Sequence, residues 1–169
     1  MYTTLLFPTA MEAAALRQLR PDLDIRECGV GVVETARYVA RLLREEHPSR
    51  IILCGIAGAY DDTPIGEVVQ VGVERMAGTP VQYARDYRAT LHLEGLAEVA
   101  GNTVGRVNEP AEGATIENME GAMLFALCED AGIEYAEIRS ISNRVGAPYS
   151  EWDIPHAIES LTATLTRLF

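Results

Sequence analysis

The charge of this chain excludes several classes of function. In 169 residues it has a formal net charge of −11, and all 14 of its basic residues are arginines scattered along the sequence. Binding to nucleic acid needs clustered cations, so we expect no nucleic-acid partner. A chain without lysine also has no Walker-type phosphate loop, no Schiff base and no catalytic lysine.

The composition is that of a globular protein. With 48% hydrophobic residues, the 169-residue chain can bury a full core, and we expect residues 1–169 to form a single domain. The sequence has neither a long apolar segment nor a signal-peptide pattern. We therefore expect no membrane association and a cytoplasmic location.

Apolar runs alternate with helical patterns along the chain. Short apolar runs predict strands at residues 4–7, 51–54, 68–73 and 135–141. Helical spacing predicts helices after the glycine turn at 29–31, from about residue 119 to the stop at Gly132, and from about Ile154. This alternation is typical of an α/β fold, and we expect a mixed, mostly parallel sheet flanked by helices.

Two polar side chains occupy special places in this pattern. Glu120 falls in the first turn of a predicted helix, where the helix dipole favours a carboxylate. Asn143 follows the strand predicted at 135–141, and ligands of open parallel sheets bind beyond the carboxyl ends of the strands. Either residue alone is more often structural, as a helix-start carboxylate or a turn residue. Together they predict a nucleoside-binding site.

The segments around these residues resemble a known signature. MEGA at 119–122 and IRSISN at 138–143 are similar to the signature of the nucleoside phosphorylase/nucleosidase superfamily, and within it of the futalosine hydrolases. Further similar segments are LLFPTAME at 5–12, GVG at 29–31, GIAGA at 55–59 and IGEVV at 65–69. Residues 78–115 show little similarity, and this stretch is several tens of residues shorter than in the relatives.

The resemblance implies a nucleoside phosphorylase-like fold and a purine nucleoside N-glycosidase. It would hydrolyse futalosine or a related 6-oxopurine nucleoside to hypoxanthine and the free sugar derivative, as a step of menaquinone biosynthesis. By resemblance, Glu12 is the base that acts on the attacking water, and Asn143 stabilises the departing purine at N7. Glu120 accepts hydrogen bonds from the ribose hydroxyls, and Met119 packs against the sugar.

The resemblance also assigns secondary positions in the site. Ala57 and Gly58 shape the pocket with their backbone, Ser142 meets the purine, Val104 flanks the base, and Trp152 belongs to a lid. For Trp152 the alternative is an ordinary packing aromatic residue.

Two features of the residues refine the expected reaction. The loop after the first strand has Glu12 where phosphorylases of the superfamily have an arginine, and a carboxylate repels phosphate, so hydrolysis is favoured over phosphorolysis. Asn143 stands where adenine-specific nucleosidases have an aspartate. Its amide can donate to N7 while engaging a 6-oxo group, which favours a hypoxanthine-type base.

The chain offers no pattern for a metal or a cofactor. Its cysteines and histidines are widely spaced, at Cys28, Cys54, Cys128, His47, His92 and His156. We expect the thiols to be small core residues, and we assign neither a metal nor a cofactor.

The expected partners are a small-molecule nucleoside and a second copy of the chain. Because the stretch at 78–115 is short, a neighbouring subunit could complete the base pocket, and we expect a homo-oligomer, in the simplest case a dimer. Two alternatives remain. One is another nucleosidase or phosphorylase, such as a methylthioadenosine nucleosidase, and the other is a relative that binds nucleosides without cleaving them. The set of Glu12, Glu120 and Asn143 favours chemistry, whereas the shortened stretch favours binding alone.

Overall fold

A mixed sheet of eight strands lies at the centre of the structure, a computed structural model that describes residues 2–169. The strands are β1 (Thr3–Phe7), β2 (Asp24–Glu27), β3 (Arg50–Ala59), β4 (Val68–Met76), β5 (Asp86–Arg88), β6 (Ala97–Thr103), β7 (Ile116–Asn118) and β8 (Glu134–Arg144). The helices are α1 (Ala10–Leu19), α2 (Gly31–Glu45), α3 (Gly121–Ala131) and α4 (Ile154–Leu168), and 3₁₀ turns cover Val81–Tyr83 and Tyr149–Glu151.

Strand β3 organises the sheet because it pairs with three others. It runs parallel to β1 and β8, and its last residues, Gly58 and Ala59, pair antiparallel with β7. Strand β8 pairs in turn with β4, β4 with β6, and β6 with β7, so five strands close into a ring. Five of the eight pairings are parallel, which confirms the predicted mixed, mostly parallel sheet.

Helices cover both faces of the sheet. Because side chains alternate along a strand, β1 directs Leu5 and Phe7 to one face and Leu6 to the other. The first face packs against α1 and α4, through residues such as Leu16 and Leu161. The second face packs against α2 and α3, through Val39, Leu42, Leu124 and Phe125. No helix among residues 2–169 is long and apolar enough to cross a membrane.

The three cysteines lie in this core. Cys28, Cys54 and Cys128 are buried free thiols, and all three belong to the apolar clusters beneath the helices. The prediction that they are small core residues is confirmed. Burial raises the pKa of the Cys28 thiol to about 11, so it stays in the unreactive thiol form at neutral pH.

Helix α3 follows the sequence pattern at its end and differs at its start. It stops at Gly132, whose φ of 67° is the left-handed conformation that glycine adopts readily. Glu120 is the N-cap residue instead of a first-turn residue. The cause is Asn118, whose side-chain oxygen accepts hydrogen bonds from the backbone N–H groups of Glu120 (2.9 Å) and Gly121 (2.8 Å) and turns the chain before the helix begins.

Two strands are longer than their apolar runs. β3 continues through Gly55 and Gly58 to Ala59, and β8 continues through Ser142 and Asn143 to Arg144. Such small or polar residues have low strand propensity, so they resemble turn residues in the sequence. In the fold the two extensions pair with each other, with one irregularity between Ala57 and Gly58. The polar ends therefore lie in the sheet and not in loops.

The short stretch between residues 78 and 115 still forms ordered structure. It contains β5, which pairs with β4, and β6, whose last residues include Asn102 and Thr103. Val104, which the resemblance places beside the base, therefore follows directly on the end of this strand. The loop from residue 104 to 115 is held by Asn102, whose side-chain nitrogen donates to the carbonyls of Pro110 (3.1 Å) and Ala111 (2.8 Å).

Candidate active site

A cavity opens where β3, β7 and β8 end and where α1 and α3 begin. All nine residues that the sequence places at a site line it: Glu12, Ala57, Gly58, Val104, Met119, Glu120, Ser142, Asn143 and Trp152. The wall also contains residues to which sequence reasoning gave no role, among them Ile56, Glu117, Asn118 and Arg139. The fold thus brings the expected set together.

Glu12 is held at one end of the cavity by the turn that starts α1. Thr9 is the N-cap of that helix; its side chain accepts from the Glu12 N–H, and its hydroxyl lies 2.6 Å from Glu12 Oε2. The backbone N–H of Ile56 donates to Glu12 Oε1 at 3.0 Å. Only 4% of Glu12 is exposed. A carboxyl group in this position is oriented by two donors and has lone pairs left for a further partner.

Burial is the main influence on the acidity of Glu12. Removal from water raises the pKa of this carboxyl above its usual range, and the nearby charge of Glu120 adds to the increase. The hydrogen bonds from Thr9 and Ile56 and the positive charge of Arg139 act in the opposite direction. A raised pKa makes Glu12 a better proton acceptor than a solvent-exposed glutamate.

Arg139 is hydrogen-bonded to Glu120 and lies near Glu12. Its Nη2 donates to Glu120 Oε2 at 3.0 Å, and its Nη1 donates to the Ile56 carbonyl at 3.2 Å. The guanidinium lies against Gly55: a methyl group there would come 2.5 Å from Nη1 and 3.0 Å from Glu12 Oε1. Glycine at this point of β3 therefore leaves room for both the buried guanidinium of Arg139 and the carboxylate of Glu12.

The glycine turn before α2 supplies the second donor to Glu120. The backbone N–H of Gly31 donates to Glu120 Oε1 at 2.9 Å. Gly31 has a φ of 88°, a backbone conformation that residues other than glycine rarely adopt. The amide of this turn is therefore used to fix a carboxylate, and Glu120 is anchored at both of its oxygens.

The other end of the cavity is formed on both sides of Gly58. Glu117 of β7 and Asn143 of β8 are the neighbours of Gly58 on its two flanking strands. The Ser142 hydroxyl lies 2.8 Å from Asn143 Oδ1, and Asn143 Nδ2 donates to the Arg144 carbonyl at 3.1 Å. These contacts orient the Asn143 amide, with its oxygen toward Ser142 and its nitrogen toward the Arg144 carbonyl.

Glu117 is a site residue that sequence reasoning missed. It is 4% exposed, and its carboxylate accepts hydrogen bonds from the Tyr60 hydroxyl (3.1 Å) and from the Asn108 backbone N–H (2.9 Å). Burial raises the pKa of Tyr60 to about 12, so Tyr60 keeps its proton and remains a donor. The sequence carried no signal for it, because a strand of three residues, Ile116–Asn118, is too short to show a pattern.

Apolar side chains close the middle and the mouth of the cavity. Val104 is 1% exposed, and its backbone N–H donates to the Asn118 carbonyl at 2.8 Å. At the mouth, the Trp152 indole donates to the Ala147 carbonyl at 3.2 Å, and its ring contacts the exposed ring of Tyr149. Trp152 therefore lines the cavity and is not a core residue.

The charges around the cavity do not favour an anionic ligand. Among the described residues that line it, three are glutamates, and Arg139 is the sole basic residue. That arginine is already paired with Glu120 and with Glu137, whose Oε1 accepts from its Nε at 2.6 Å. A free phosphate would meet carboxylates without an available cation.

Comparison of the sequence with known proteins gives futalosine hydrolases. No family model matches the sequence. The chain is 31% identical to the futalosine hydrolase of Acidothermus cellulolyticus over 176 aligned positions, covering 82% of this chain and 71% of the relative. It is 29% identical to the futalosine hydrolase of Thermus thermophilus over 177 positions, covering 84% and 79%. The 82% of this 169-residue chain that is aligned fills only part of the 176 aligned positions. Several tens of positions are therefore occupied by residues of the first relative that have no counterpart here.

Solved structures resemble the whole chain. A futalosine hydrolase mutant of Helicobacter pylori superposes with a TM-score of 0.87 at 13% identity, covering 98% of this chain and 97% of the other. The 5'-methylthioadenosine nucleosidase of Arabidopsis thaliana gives a TM-score of 0.86 at 16% identity, with coverages of 98% and 93%. At such identities the likeness shows the fold.

Proposed function

Because the chain belongs to the futalosine hydrolase family, whose members are nucleoside N-glycosyl hydrolases, we propose that its substrate is futalosine or a related 6-oxopurine nucleoside. The products are hypoxanthine and the free sugar derivative. The observation that supports this proposal most directly is the placement of Glu12, Arg139 and Glu120 around one end of a cavity whose other end has Asn143 and Glu117.

Glu12 is the base of the proposed reaction. Its carboxylate takes a proton from a water molecule that attacks the anomeric carbon as the bond to the purine breaks. Thr9 and Ile56 hold the carboxylate in one orientation, which avoids an entropic cost at the moment of reaction. Its pKa, raised by burial, increases its affinity for that proton.

Glu120 holds the ribose. The sugar ring gains positive charge as the glycosidic bond breaks, and a fixed carboxylate nearby stabilises that charge more in the transition state than in the substrate. Arg139 and Gly31 fix its two oxygens, and each oxygen keeps a lone pair for a ribose hydroxyl. Met119, beside it in the cavity wall, packs against the sugar.

The base lies over Gly58. On one side the Asn143 amide donates to N7 and stabilises the negative charge that the departing purine acquires. On the other side Glu117 accepts the N1–H that a 6-oxopurine has and adenine lacks. Ser142 supports the amide, the backbone of Ala57 and Gly58 forms the floor, and Val104 and Trp152 enclose the ring.

Water, and not phosphate, is the proposed attacking group. A phosphorylase must neutralise a bound anion, whereas here the group beside the sugar is Glu12 and the nearby guanidinium is already paired. Two carboxylates close to the attack site oppose phosphate and favour the transfer of a proton from water.

A second copy of the chain is proposed to cover the cavity mouth. Met11, Val30 and Val107 line the cavity and are 56%, 50% and 42% exposed, which is unusual for apolar side chains at a ligand site. Burying them against a second copy in a homodimer would remove this area from water and enclose the substrate. The resemblance implies a step of menaquinone biosynthesis, and we propose this role for the protein, with the cytoplasm as its location.

A substrate panel tests the proposal. The purified protein is incubated with futalosine, inosine, adenosine and methylthioadenosine, and the released base is quantified by chromatography. We expect hypoxanthine from futalosine and inosine, with the higher kcat/KM for futalosine, and little adenine. Preferential release of adenine from methylthioadenosine would show that the protein is a methylthioadenosine nucleosidase instead. Release of no base from any of the four nucleosides would refute the proposal.

A further inference from the structure

Two more carboxyl groups lie behind the sugar end of the cavity. Glu74 of β4 and Glu137 of β8 are both fully buried, and neither lines the cavity. Both reach the backbone of Gly121, the first residue of α3: a methyl group there would overlap Glu137 Oε2 and would lie 2.7 Å from Glu74 Oε1. Two buried carboxyl groups therefore meet next to the residue that follows Glu120.

Their hydrogen-bond partners differ in charge. Glu137 Oε1 accepts from Arg139 at 2.6 Å, whereas its Oε2 has no hydrogen-bond partner among residues 2–169. Glu74 accepts from the Thr103 hydroxyl at 2.8 Å and from the side-chain amide of Asn118, both of which are neutral donors. The guanidinium of Arg139 therefore stabilises the ionised form of Glu137, whereas Glu74 has no cation in contact.

A second negative charge at this place would be very costly. Two ionised carboxylates close together without water repel each other, and such pairs retain one proton between them. The other charged groups near the pair are Arg139 and Glu120. Glu12 interacts electrostatically with Arg139. Burial and the charge of Glu137 hold the pKa of Glu74 well above its usual range, and burial also raises the pKa of Glu137, with Arg139 opposing that increase.

We propose that Glu74 and Glu137 share one proton, which resides on Glu74 and is donated to Glu137 Oε2, and that the pair positions Arg139 and Glu120 for catalysis. The proton supplies the partner that Glu137 Oε2 otherwise lacks. Glu137 remains a carboxylate and orients Arg139, which in turn donates to Glu120. Neither member of the pair touches the substrate, so both are positioning residues.

Glu74 supports Glu120 by a second route. Glu74 accepts hydrogen bonds from the side chains of Asn118 and Thr103. These two side chains in turn accept hydrogen bonds from backbone N–H groups where α3 begins. Asn118 Oδ1 takes those of Glu120 and Gly121, and Thr103 Oγ1 takes that of Ala122 at 2.7 Å. The backbone of Glu120 and its carboxylate are thus both fixed by the pair.

The first test compares three Glu→Gln variants by kcat on the best nucleoside substrate. Glu74→Gln keeps a donor to Glu137 and an acceptor for Thr103 and gives up the bond from Asn118, so its kcat should fall by less than about tenfold. Glu137→Gln removes the charge that orients Arg139, and its kcat should fall by about 10- to 100-fold with a smaller change in KM. Glu98→Gln, at an exposed position on β6, is the matched control and should behave as wild type. A larger loss in Glu74→Gln than in Glu137→Gln would overturn the assignment of the proton.

The second test needs no activity, so it also separates a failure of this inference from a failure of the proposed function, on which its catalytic arm rests. The infrared C=O stretch of a protonated carboxyl is recorded in ²H₂O at neutral pH. We expect a band in the wild-type protein that persists in Glu12→Gln and disappears in Glu74→Gln. A wild-type spectrum without such a band would refute the shared proton, even if both variants fail to fold.

Discussion

Glu117 and Asn143 flank Gly58 from the two strands that pair with it. A methyl group on Gly58 would come 3.0 Å from Asn143 Nδ2 and 3.5 Å from Glu117 Cγ, so both side chains pack against the glycine. A flat ring above Gly58 would meet a hydrogen-bond donor at one edge and an acceptor at the opposite edge. This arrangement suits a 6-oxopurine, which presents the acceptor N7 and the donor N1–H.

Asn143 should determine which base is accepted. In Asn143→Asp, a carboxylate facing the 6-oxo group is repulsive unless protonated, whereas it can accept from the 6-amino group of adenine. We expect the ratio of kcat/KM for inosine to that for adenosine to fall by tenfold or more, since a matched polar contact is worth about 1–3 kcal/mol. An unchanged ratio would mean that Asn143 does not read the base.

Glu117 should act at the opposite edge. Glu117→Gln keeps an acceptor for the Asn108 N–H but weakens the hydrogen bond to N1–H, because a charged acceptor forms the stronger bond. We expect kcat/KM for inosine to fall by about tenfold. The substrate 1-methylinosine lacks the N1 proton and serves as the control. If 1-methylinosine loses as much as inosine in the variant, Glu117 acts only through the fold of the loop.

Glu120 should discriminate between sugars. Because its carboxylate would bind hydroxyls whose polarity rises as the ring becomes cationic, Glu120→Gln should reduce kcat more than it raises KM. A 2′-deoxynucleoside already lacks one of these hydroxyls, so the variant should impair its hydrolysis less than that of the ribonucleoside. The measurement is kcat and KM for both sugars in both proteins, and equal impairment of the two substrates would contradict the role.

The raised pKa of Glu12 should be visible in the pH profile. The base acts only when ionised, so kcat/KM should fall with decreasing pH through a pKa higher than that of an ordinary glutamate. The stability effect has a defined sign. The folded state binds this proton more tightly than the unfolded state, which favours folding at low pH, and this contribution is lost as pH rises through the folded-state pKa. The Tm of Glu12→Gln relative to wild type should therefore increase with pH, and a decrease would contradict the raised pKa.

Much of the fold could be predicted because its signals are local. A short apolar run identified β1, helical apolar patterns identified the helices α2 to α4, and Gly132 marked the end of α3. Most of the predicted site residues came from short motifs at the end of a strand or the start of a helix, whereas Val104 and Trp152 lie outside these motifs. The full lengths of β3 and β8 could not be predicted, because Gly58 and Asn143 favour turns. They are held in strands by pairing with each other, and Gly58 also pairs with Glu117.

The groups that support the site depend on contacts distant in sequence. Arg139 stands in a recognised motif, yet its role follows from the space that Gly55 leaves 84 positions earlier. Glu74 is an unremarkable charge in a strand until β8 places Glu137 beside it at Gly121. Periodicity shows which face of an element is buried, but it does not show which two carboxyl groups meet there.

The most direct test of the central claim is the rate of hypoxanthine release from futalosine in phosphate-free buffer, measured for the wild type and for Glu12→Gln. We expect full wild-type turnover without phosphate. We expect a loss of about 10²–10⁴-fold in Glu12→Gln, the contribution typical of a positioned general base. Turnover that depends on added phosphate, or a Glu12→Gln variant that hydrolyses futalosine at the wild-type rate, would contradict hydrolysis by a water molecule that Glu12 activates.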